Sequence, residues 1–268
     1  MSGRFRIRWS IWLLVLLAGV SASPLGARRP YVVLEEFCAI GERVPGTAGH
    51  REARDYIIRN LENPQIDSFY ARGVTFYNIL KRFPGEHTIG IAAHWDSDIG
   101  CPGANDGGSG VALLLSLADT LEKNPAERGI DIIFFDGEDV GKADRIGSQH
   151  FAEQCRDEYS FIVVIDMVGD KDLQIFQEGY SVRSFPLLVD SLWEIAMQAA
   201  PSAFIPAVRY FIIDDHVSLI TNGIRAVNVI DFDYPYWDTR DDTIDKCSEE
   251  SLHKVYAFLL ALVYGDRS

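Results

Sequence analysis

Two apolar runs constrain the fold more than any other feature of this sequence. Residues 130–135 and 161–165 consist almost entirely of β-branched and aromatic residues. Such runs are typical of interior strands that are covered on both faces, as in a parallel sheet. Because parallel neighbours need long crossover connections, helices are expected between the strands. The pattern therefore predicts an α/β fold.

The rest of the chain alternates between helical and extended patterns. Helices are predicted over 49–61, 109–121, 188–199 and 249–263, and further strands over 74–82, 88–94 and 225–230. Strands that alternate with helices argue for a three-layer α/β/α domain around a mixed, mainly parallel central sheet.

The first 22 residues have the layout of a secretory signal peptide. Three arginines precede a short apolar core over 11–20, and small residues lead up to position 22. The apolar core is about half of the ~20 residues that span a membrane, so we expect cleavage and no stable membrane span afterwards. Residues 23–268 are expected to form a single catalytic domain, exported to the periplasm or the extracellular space.

Composition limits the partners. The formal net charge of −14 disfavours nucleic acid, whose phosphates such a surface repels. The four cysteines have no metal-type spacing, and they leave both disulfides and free thiols open. The chain also lacks a Gly-x-Ser-x-Gly elbow and a His-Glu-x-x-His pair, which argues against a serine hydrolase and the commonest single-zinc protease pattern. We expect a monomer.

Acids or a histidine follow four of the predicted strands. His94 ends one strand, Glu138 and Asp139 follow the second, Asp166 follows the third, and the acidic segment 231–238 follows the fourth. In open α/β sheets, ligands bind beyond the carboxyl ends of the strands. A single acid there is usually a cap or turn residue, but four converging strand ends indicate a site.

The donor types at this edge suit a divalent metal. Zinc accepts carboxylate oxygen and histidine nitrogen. His94 and Asp106 bracket a glycine-rich loop, which lets the backbone pass close to a metal. Of the adjacent Glu138 and Asp139, one can bind metal while the other carries a proton. Asp96 is placed to orient the His94 imidazole.

Seven motifs occur in an order that resembles a known family. They are His94-Trp95-Asp96-Ser97, Gly103-Ala104-Asn105-Asp106, Phe134-Phe135-Asp136-Gly137-Glu138-Asp139, Gly147-Ser148, Asp166-Met167-Val168-Gly169, Asp214-Asp215-His216 and Tyr236-Trp237-Asp238-Thr239. They look like the zinc aminopeptidases and glutaminyl-peptide cyclotransferases of metallopeptidase family 28. The resemblance covers roughly residues 35–265 and implies peptide N-termini as substrate.

In the aminopeptidase branch, the resemblance implies two zinc ions that share Asp106. His94 and Asp166 would bind one ion, and Asp139 and Asp238 the other. In the cyclotransferase branch, it implies one zinc, held by Asp106, Asp139 and Asp238.

The resemblance also implies the catalytic groups. Glu138 matches the general acid/base of both branches. In the cyclotransferase branch, Asp166 and Asp214 would join Glu138 in a hydrogen-bonded proton network, and Trp237 matches an indole of the substrate pocket. That indole, segment 134–139 and the triplet at Asp214 resemble bacterial and animal cyclotransferases more than aminopeptidases. The short loop after Asp139, which lacks a common tryptophan, points the other way.

The largest departure from the family is at position 238. The family has His in a Trp-His-Thr context, whereas this chain has Asp238. A site of Asp106, Asp139 and Asp238 is all carboxylate, which favours harder ions such as Mn²⁺ or Ca²⁺. Three hypotheses result: a cyclotransferase that converts N-terminal Gln to pyroglutamate, a zinc aminopeptidase, and a metal-deficient peptide-binding homologue.

Overall fold

The central sheet has the mixed architecture that the sequence predicts. The computed structural model describes residues 26–140, 145–155 and 159–265, and the signal peptide predicted over 1–22 lies outside these residues. The strands are β1 (Gln65–Ala71), β2 (Val74–Phe83), β3 (Glu86–His94), β4 (Arg128–Phe135), β5 (Ile162–Asp166), β6 (Ile175–Glu178), β7 (Phe204–Tyr210) and β8 (Ala226–Ile230). Six of them form one sheet in the order β1-β2-β4-β3-β5-β8, and β6 pairs with β7.

The direction of the strands gathers their carboxyl ends. β4, β3, β5 and β8 run parallel, whereas β1 and β2 are antiparallel additions at one side. His94 is in register with Phe135, and Asp166 with Ile230. The last residues of these four strands therefore lie at one edge of the sheet.

Helices cover both faces of the sheet. They are α1 (Pro30–Cys38), α2 (Ala48–Arg59), α3 (Gly108–Lys123), α4 (Ile146–Gln154), α5 (Gly179–Ser184), α6 (Pro186–Ala199), α7 (Asp215–Thr221) and α8 (Glu249–Tyr264), with a short 3₁₀ turn at Ile244–Lys246. Side chains of β3, β4 and β5 alternate between two hydrophobic clusters. One contains α1, α3, α6 and α8, and the other contains α4 and α7. The three-layer expectation is confirmed.

Local signals explain where several helices begin. The Thr47 hydroxyl accepts a hydrogen bond from His50 N at the start of α2, and the Ser248 hydroxyl accepts one from Ser251 N at the start of α8. α3 is buried along nearly its whole length, as its apolar sequence predicts.

Among the described residues, no helix is long and apolar enough to cross a membrane. All four cysteines are free thiols, two of them buried.

Candidate metal centre

The ends of β3 and β5 bring one histidine and two aspartates together. His94 is the last residue of β3, and Asp166 is the last residue of β5. His94 Nε2 lies 3.0 Å from Asp106 Oδ1 and 3.3 Å from Asp166 Oδ1. All three residues are buried. They form a compact set of one nitrogen and two carboxylate donors, which suits zinc.

A second donor set shares Asp106. Asp106, Asp139 and Asp238 each offer one carboxylate oxygen, and these atoms all lie within 4.8 Å of one another. The ligand atoms of His94, Asp106 and Asp166 meet the same limit. The five expected metal ligands thus occupy two adjacent positions with one carboxylate in common.

Two buried atoms between these positions need a partner. Among the described residues, neither His94 Nδ1 nor Asp139 Oδ2 has a hydrogen-bond partner, and the two atoms are 4.0 Å apart. The side chains are only 2% and 7% exposed. An unsatisfied buried polar atom costs about 1–3 kcal/mol, and more when it is charged. Because a divalent cation would give the carboxylate its partner, the residues present fit a metal.

Glu138 adjoins this cluster. It forms a further candidate group with His94 and Asp139. Burial and the negative charge of Asp139 raise the pKa of Glu138 well above its ordinary value, and the charges of Asp214 and Asp215 act in the same direction. A carboxyl group in such surroundings can hold a proton near neutral pH, as a general acid requires.

Asp166 has a similarly perturbed environment. Burial raises the pKa of Asp166 to about 7, with support from the charges of Asp106 and Asp214, although the hydrogen bond with His94 opposes the shift. Asp166 and Glu138 therefore both feel the charge of Asp214. The structure brings the three predicted catalytic acids into one electrostatically connected cluster.

Asp96 has a different principal contact from the one expected. Its two carboxylate oxygens accept hydrogen bonds from the backbone N–H groups of Glu138, at 3.1 Å, and Asp139, at 3.0 Å. The distance from His94 Nδ1 to Asp96 Oδ1 is 3.6 Å, beyond a good hydrogen bond. Asp96 therefore fixes the turn that presents Glu138 and Asp139.

Arg43 is a positioning residue that sequence reasoning missed. Its side chain is fully buried and donates hydrogen bonds to the carbonyls of Trp95 (2.7 Å), Pro102 (2.5 Å) and Gly103 (2.8 Å). A Cβ atom on Gly103 would lie 2.4 Å from Arg43 Nη2, so this contact requires glycine. Arg43 thereby shapes the loop between His94 and Asp106. No spacing signal marks it, because its partners are backbone carbonyls.

Asp242 is a second residue that the sequence did not reveal. Its carboxylate accepts hydrogen bonds from Asn105 N (2.9 Å), Asp106 N (3.0 Å) and the Tyr234 hydroxyl (2.5 Å). Asp242 is fully buried and lies four positions after Asp238 along the chain. It connects the loop that carries Asp238 to the backbone of Asp106. Its place four residues beyond the acidic segment 231–238 was the only available hint.

The three residues Asp214, Asp215 and His216 differ in their contacts. Asp214 caps α7 by accepting from Asp215 N, and its other oxygen accepts from Asn228 Nδ2 at 2.6 Å. His216 Nε2 lies 2.9 Å from Glu178 Oε2. Asp215 is buried, and neither of its carboxylate oxygens has a hydrogen-bond partner among the described residues. His216 thus belongs to a structural pair, whereas Asp214 faces the acidic cluster.

Trp237 and Asp238 lie at the exposed side of the centre. Trp237 is 40% exposed and packs against Phe232 at a ring-centroid distance of 5.5 Å. Asp238 is exposed and adopts a left-handed backbone conformation with φ +57°. An exposed indole beside the donors is suited to contact the aliphatic part of a substrate.

Two acids at the strand ends do not join the centre. Asp136 lies 2.9 Å from His50 Nε2 and accepts a hydrogen bond from Tyr77 N. Asp231 accepts hydrogen bonds from Gln174 N and Asp233 N. These two acids hold the surrounding loops. Among the described residues of the segment after β8, Asp238 is the one in a candidate metal group.

Comparison with known proteins finds one family over most of the chain. The model of Peptidase family M28 matches residues 78–263. The aminopeptidase YwaD of Bacillus subtilis is 29% identical over 191 residues, which are 65% of this chain and only 40% of that protein. The glutaminyl-peptide cyclotransferase of Drosophila melanogaster is 24% identical over 273 residues, which cover 83% of this chain and 77% of that protein.

A solved structure of a glutaminyl cyclase matches a larger share of this chain. The crystal structure of the Bacteroides thetaiotaomicron glutaminyl cyclase bound to N-acetylhistamine has a TM-score of 0.83 and 27% identity. The match covers 92% of this chain and 100% of that one.

Proposed function

The chain belongs to peptidase family M28, and we propose that within it the protein is a metal-dependent glutaminyl-peptide cyclotransferase. Relatives in this family are glutaminyl cyclases and aminopeptidases, and this supports an enzyme. The observation that carries the narrower proposal is the cluster of Glu138, Asp166 and Asp214, in which burial and the charge of Asp214 raise the pKa of both Glu138 and Asp166.

The reaction would turn an N-terminal glutamine into pyroglutamate. The α-amine nitrogen forms a bond with the carbon of the side-chain amide, the bond from that carbon to the amide nitrogen breaks, and ammonia leaves. A cation held by Asp106, Asp139 and Asp238 would supply Lewis-acid polarisation of the amide carbonyl. Glu138 would take a proton from the attacking amine and deliver it to the departing nitrogen.

The neighbours of Glu138 would tune this proton transfer. A general acid/base works best when its pKa lies near the working pH, and buried carboxylates at short range raise the pKa of Glu138 in that direction. Asp139, Asp214 and Asp215 are the carboxylates that act on Glu138, and Asp214 also raises the pKa of Asp166. Trp237, partly exposed at the rim, would pack on the methylenes of the glutamine side chain.

A second candidate is a zinc aminopeptidase. The adjacent donor sets that share Asp106 favour it, because they could hold two ions. In that reaction Glu138 would remove a proton from the attacking water rather than from an amine. The similarity to the Bacillus aminopeptidase is consistent with this alternative.

A paired-substrate assay separates the two. The purified, metal-loaded protein is incubated with a glutamine-initiated peptide and, separately, with a leucine aminoacyl substrate. We expect ammonia and a cyclised peptide from the first and no free leucine from the second. Release of leucine without formation of ammonia would contradict the cyclotransferase and favour the aminopeptidase.

A further inference from the structure

The two metal positions differ in donor chemistry. The position formed by His94, Asp106 and Asp166 includes an imidazole nitrogen, whereas the position formed by Asp106, Asp139 and Asp238 offers oxygen only. Imidazole suits zinc, and sets of carboxylates and water suit harder ions such as Mn²⁺. The replacement of the family's histidine by Asp238 is what creates this difference.

Asp139, a donor of the all-oxygen position, has a buried carboxylate oxygen that a cation would neutralise. Asp139 is 7% exposed at its side chain, and its Oδ2 has no hydrogen-bond partner among the described residues. One carboxylate oxygen of Asp139 lies within 4.8 Å of carboxylate oxygens of Asp106 and Asp238. Buried carboxylates this close repel one another unless a cation lies between them.

No other histidine takes over the missing nitrogen. His94 is the only histidine in any candidate metal group of the described residues. Its Nε2 faces Asp106 and Asp166, the other position. Its Nδ1 lies 4.0 Å from Asp139 Oδ2, but no candidate group of the described residues contains both His94 and Asp238. His216, which precedes position 238, is paired with Glu178 and fully buried. His253, which follows position 238 on α8, is exposed and is in no candidate metal group of the described residues.

The exposure of Asp238 is a second difference between the two metal positions. Asp106 is buried, but Asp238 lies at the solvent side of the same position. Solvent access on that side leaves room for water ligands. Six-coordinate ions such as Mn²⁺ and Mg²⁺ need these waters more than four-coordinate zinc does.

We propose that the position of Asp106, Asp139 and Asp238 is a hard-cation position of the Mn²⁺ class, and that the zinc preference of this protein resides at the His94 position. The inference rests on the metal dependence in the proposed function, but it is independent of whether the reaction is cyclisation or hydrolysis. Since zinc outranks Mn²⁺ at almost any site, the measurable consequence is a reduced zinc advantage at the all-oxygen position.

The backbone conformation at position 238 can accommodate Asn and His as well as Asp. Its φ of +57° is left-handed, a conformation that Asp, Asn and His adopt more readily than other non-glycine residues. D238H restores a nitrogen donor, and D238N removes the charge. Asp241 is a nearby exposed aspartate outside every candidate metal group of the described residues, so D241H adds a histidine without adding a donor.

The test is a metal displacement measured without substrate. Each protein is stripped with chelator and loaded with Mn²⁺. Zinc is then added at buffered free concentrations while electron paramagnetic resonance follows released Mn²⁺. We expect the wild type and D241H to need at least about tenfold more free zinc for half-release than D238H, the lower end of typical changes in affinity at metal sites. D238N is expected to lose Mn²⁺ binding at this position.

Equal half-release concentrations in the wild type and a folded D238H would overturn the proposal, as would undiminished Mn²⁺ binding by D238N. Circular dichroism reports folding, and if D238H does not fold, the comparison of D238N with the wild type decides. A protein that binds Mn²⁺ as expected but releases no ammonia from a glutamine peptide would contradict the cyclotransferase alone.

Discussion

Asp242 holds Asp106 by its backbone: Asp242 Oδ2 accepts a hydrogen bond from Asp106 N at 3.0 Å. The contact joins the loop of the shared metal donor to the loop that carries Asp238. Both oxygens of Asp242 are used, since the other one accepts from Asn105 N and from Tyr234. The position of Asp106 therefore depends on a residue that binds no metal itself.

Asp242→Asn should weaken metal binding. The amide keeps the shape of the side chain but places an NH₂ group against a backbone N–H, so one of the two loop contacts is lost. We expect metal affinity to fall about 10- to 100-fold, as is typical when a supporting partner of a ligand is removed. Competition with a chromophoric chelator measures this fall. Asp241→Asn, at the adjacent exposed aspartate, is the matched control and should leave the affinity unchanged.

Arg43→Met should destabilise the fold. The buried carbonyl groups of Trp95, Gly103 and Asp106 would lose a charged donor, and each unsatisfied group costs about 1–3 kcal/mol. We expect the free energy of unfolding in urea to fall by roughly 3 kcal/mol or more. Arg51→Met, at an exposed arginine with one surface hydrogen bond to Gly46, should change it little. A similar small effect at Arg43 would show that its hydrogen bonds contribute little.

Gly107→Ala should disturb His94 directly. Gly107 has φ +68°, and an added Cβ would lie 2.8 Å from His94 Cε1. Gly100 has φ +80° with nothing within 4 Å of an added Cβ, so Gly100→Ala carries the same kind of backbone strain without the clash. Both variants should lose roughly 1–2 kcal/mol of stability. Only Gly107→Ala should also lose zinc affinity, by about tenfold or more. Equal zinc affinities in the two variants would contradict this role of Gly107.

Acidification should reveal the Glu178–His216 pair. Burial tends to raise the pKa of Glu178, but hydrogen bonds from His216 and from the backbone of Tyr180 and Ser181 lower it to about 2, from an ordinary value of 4.5. Because the folded pKa is depressed, the stabilisation is present above pH 4.5 and is lost as the pH falls towards 2. Its full size is about 3 kcal/mol.

Urea unfolding of the wild type and Glu178→Gln across this pH range tests the prediction. The difference in unfolding free energy should have its full size, about that given by the pKa shift, near pH 5 and should shrink on acidification. The exposed Glu52→Gln serves as the control for general acid effects. A difference that is independent of pH would contradict the ion-pair account.

The sequence predicted most of the residues that converge, because strand ends impose their own geometry. His94, Asp139 and Asp166 follow parallel strands, and parallel strands must end at one edge. Asp136 and Asp231 satisfy the same rule but turn towards backbone N–H groups and a histidine instead. The position of a strand end thus identifies candidates without fixing where each side chain points.

The sequence could not reveal the positioning residues Arg43 and Asp242, because their partners are backbone atoms. Arg43 and Asp242 bond to backbone atoms 52 to 137 positions away along the chain, and any residue offers such atoms. Two of the strands that the sequence did not predict were missed for related reasons. β1 is mostly exposed and lacks an alternating apolar pattern, and β7 is exposed over most of its length beside the short β6. Their pairing partners, rather than their own residues, stabilise them.

The most direct test of the proposed reaction is product analysis of the wild type and Glu138→Gln on a glutamine-initiated peptide. Ammonia release and mass spectrometry of the peptide measure cyclisation, and metal analysis of the same samples checks that the centre is intact. Glu52→Gln is the matched control for removal of a glutamate. We expect cyclised peptide and ammonia from the wild type and the control, and neither product from Glu138→Gln with its metal content unchanged. Full activity of a metal-loaded Glu138→Gln, or no ammonia from the metal-loaded wild type, would contradict the account.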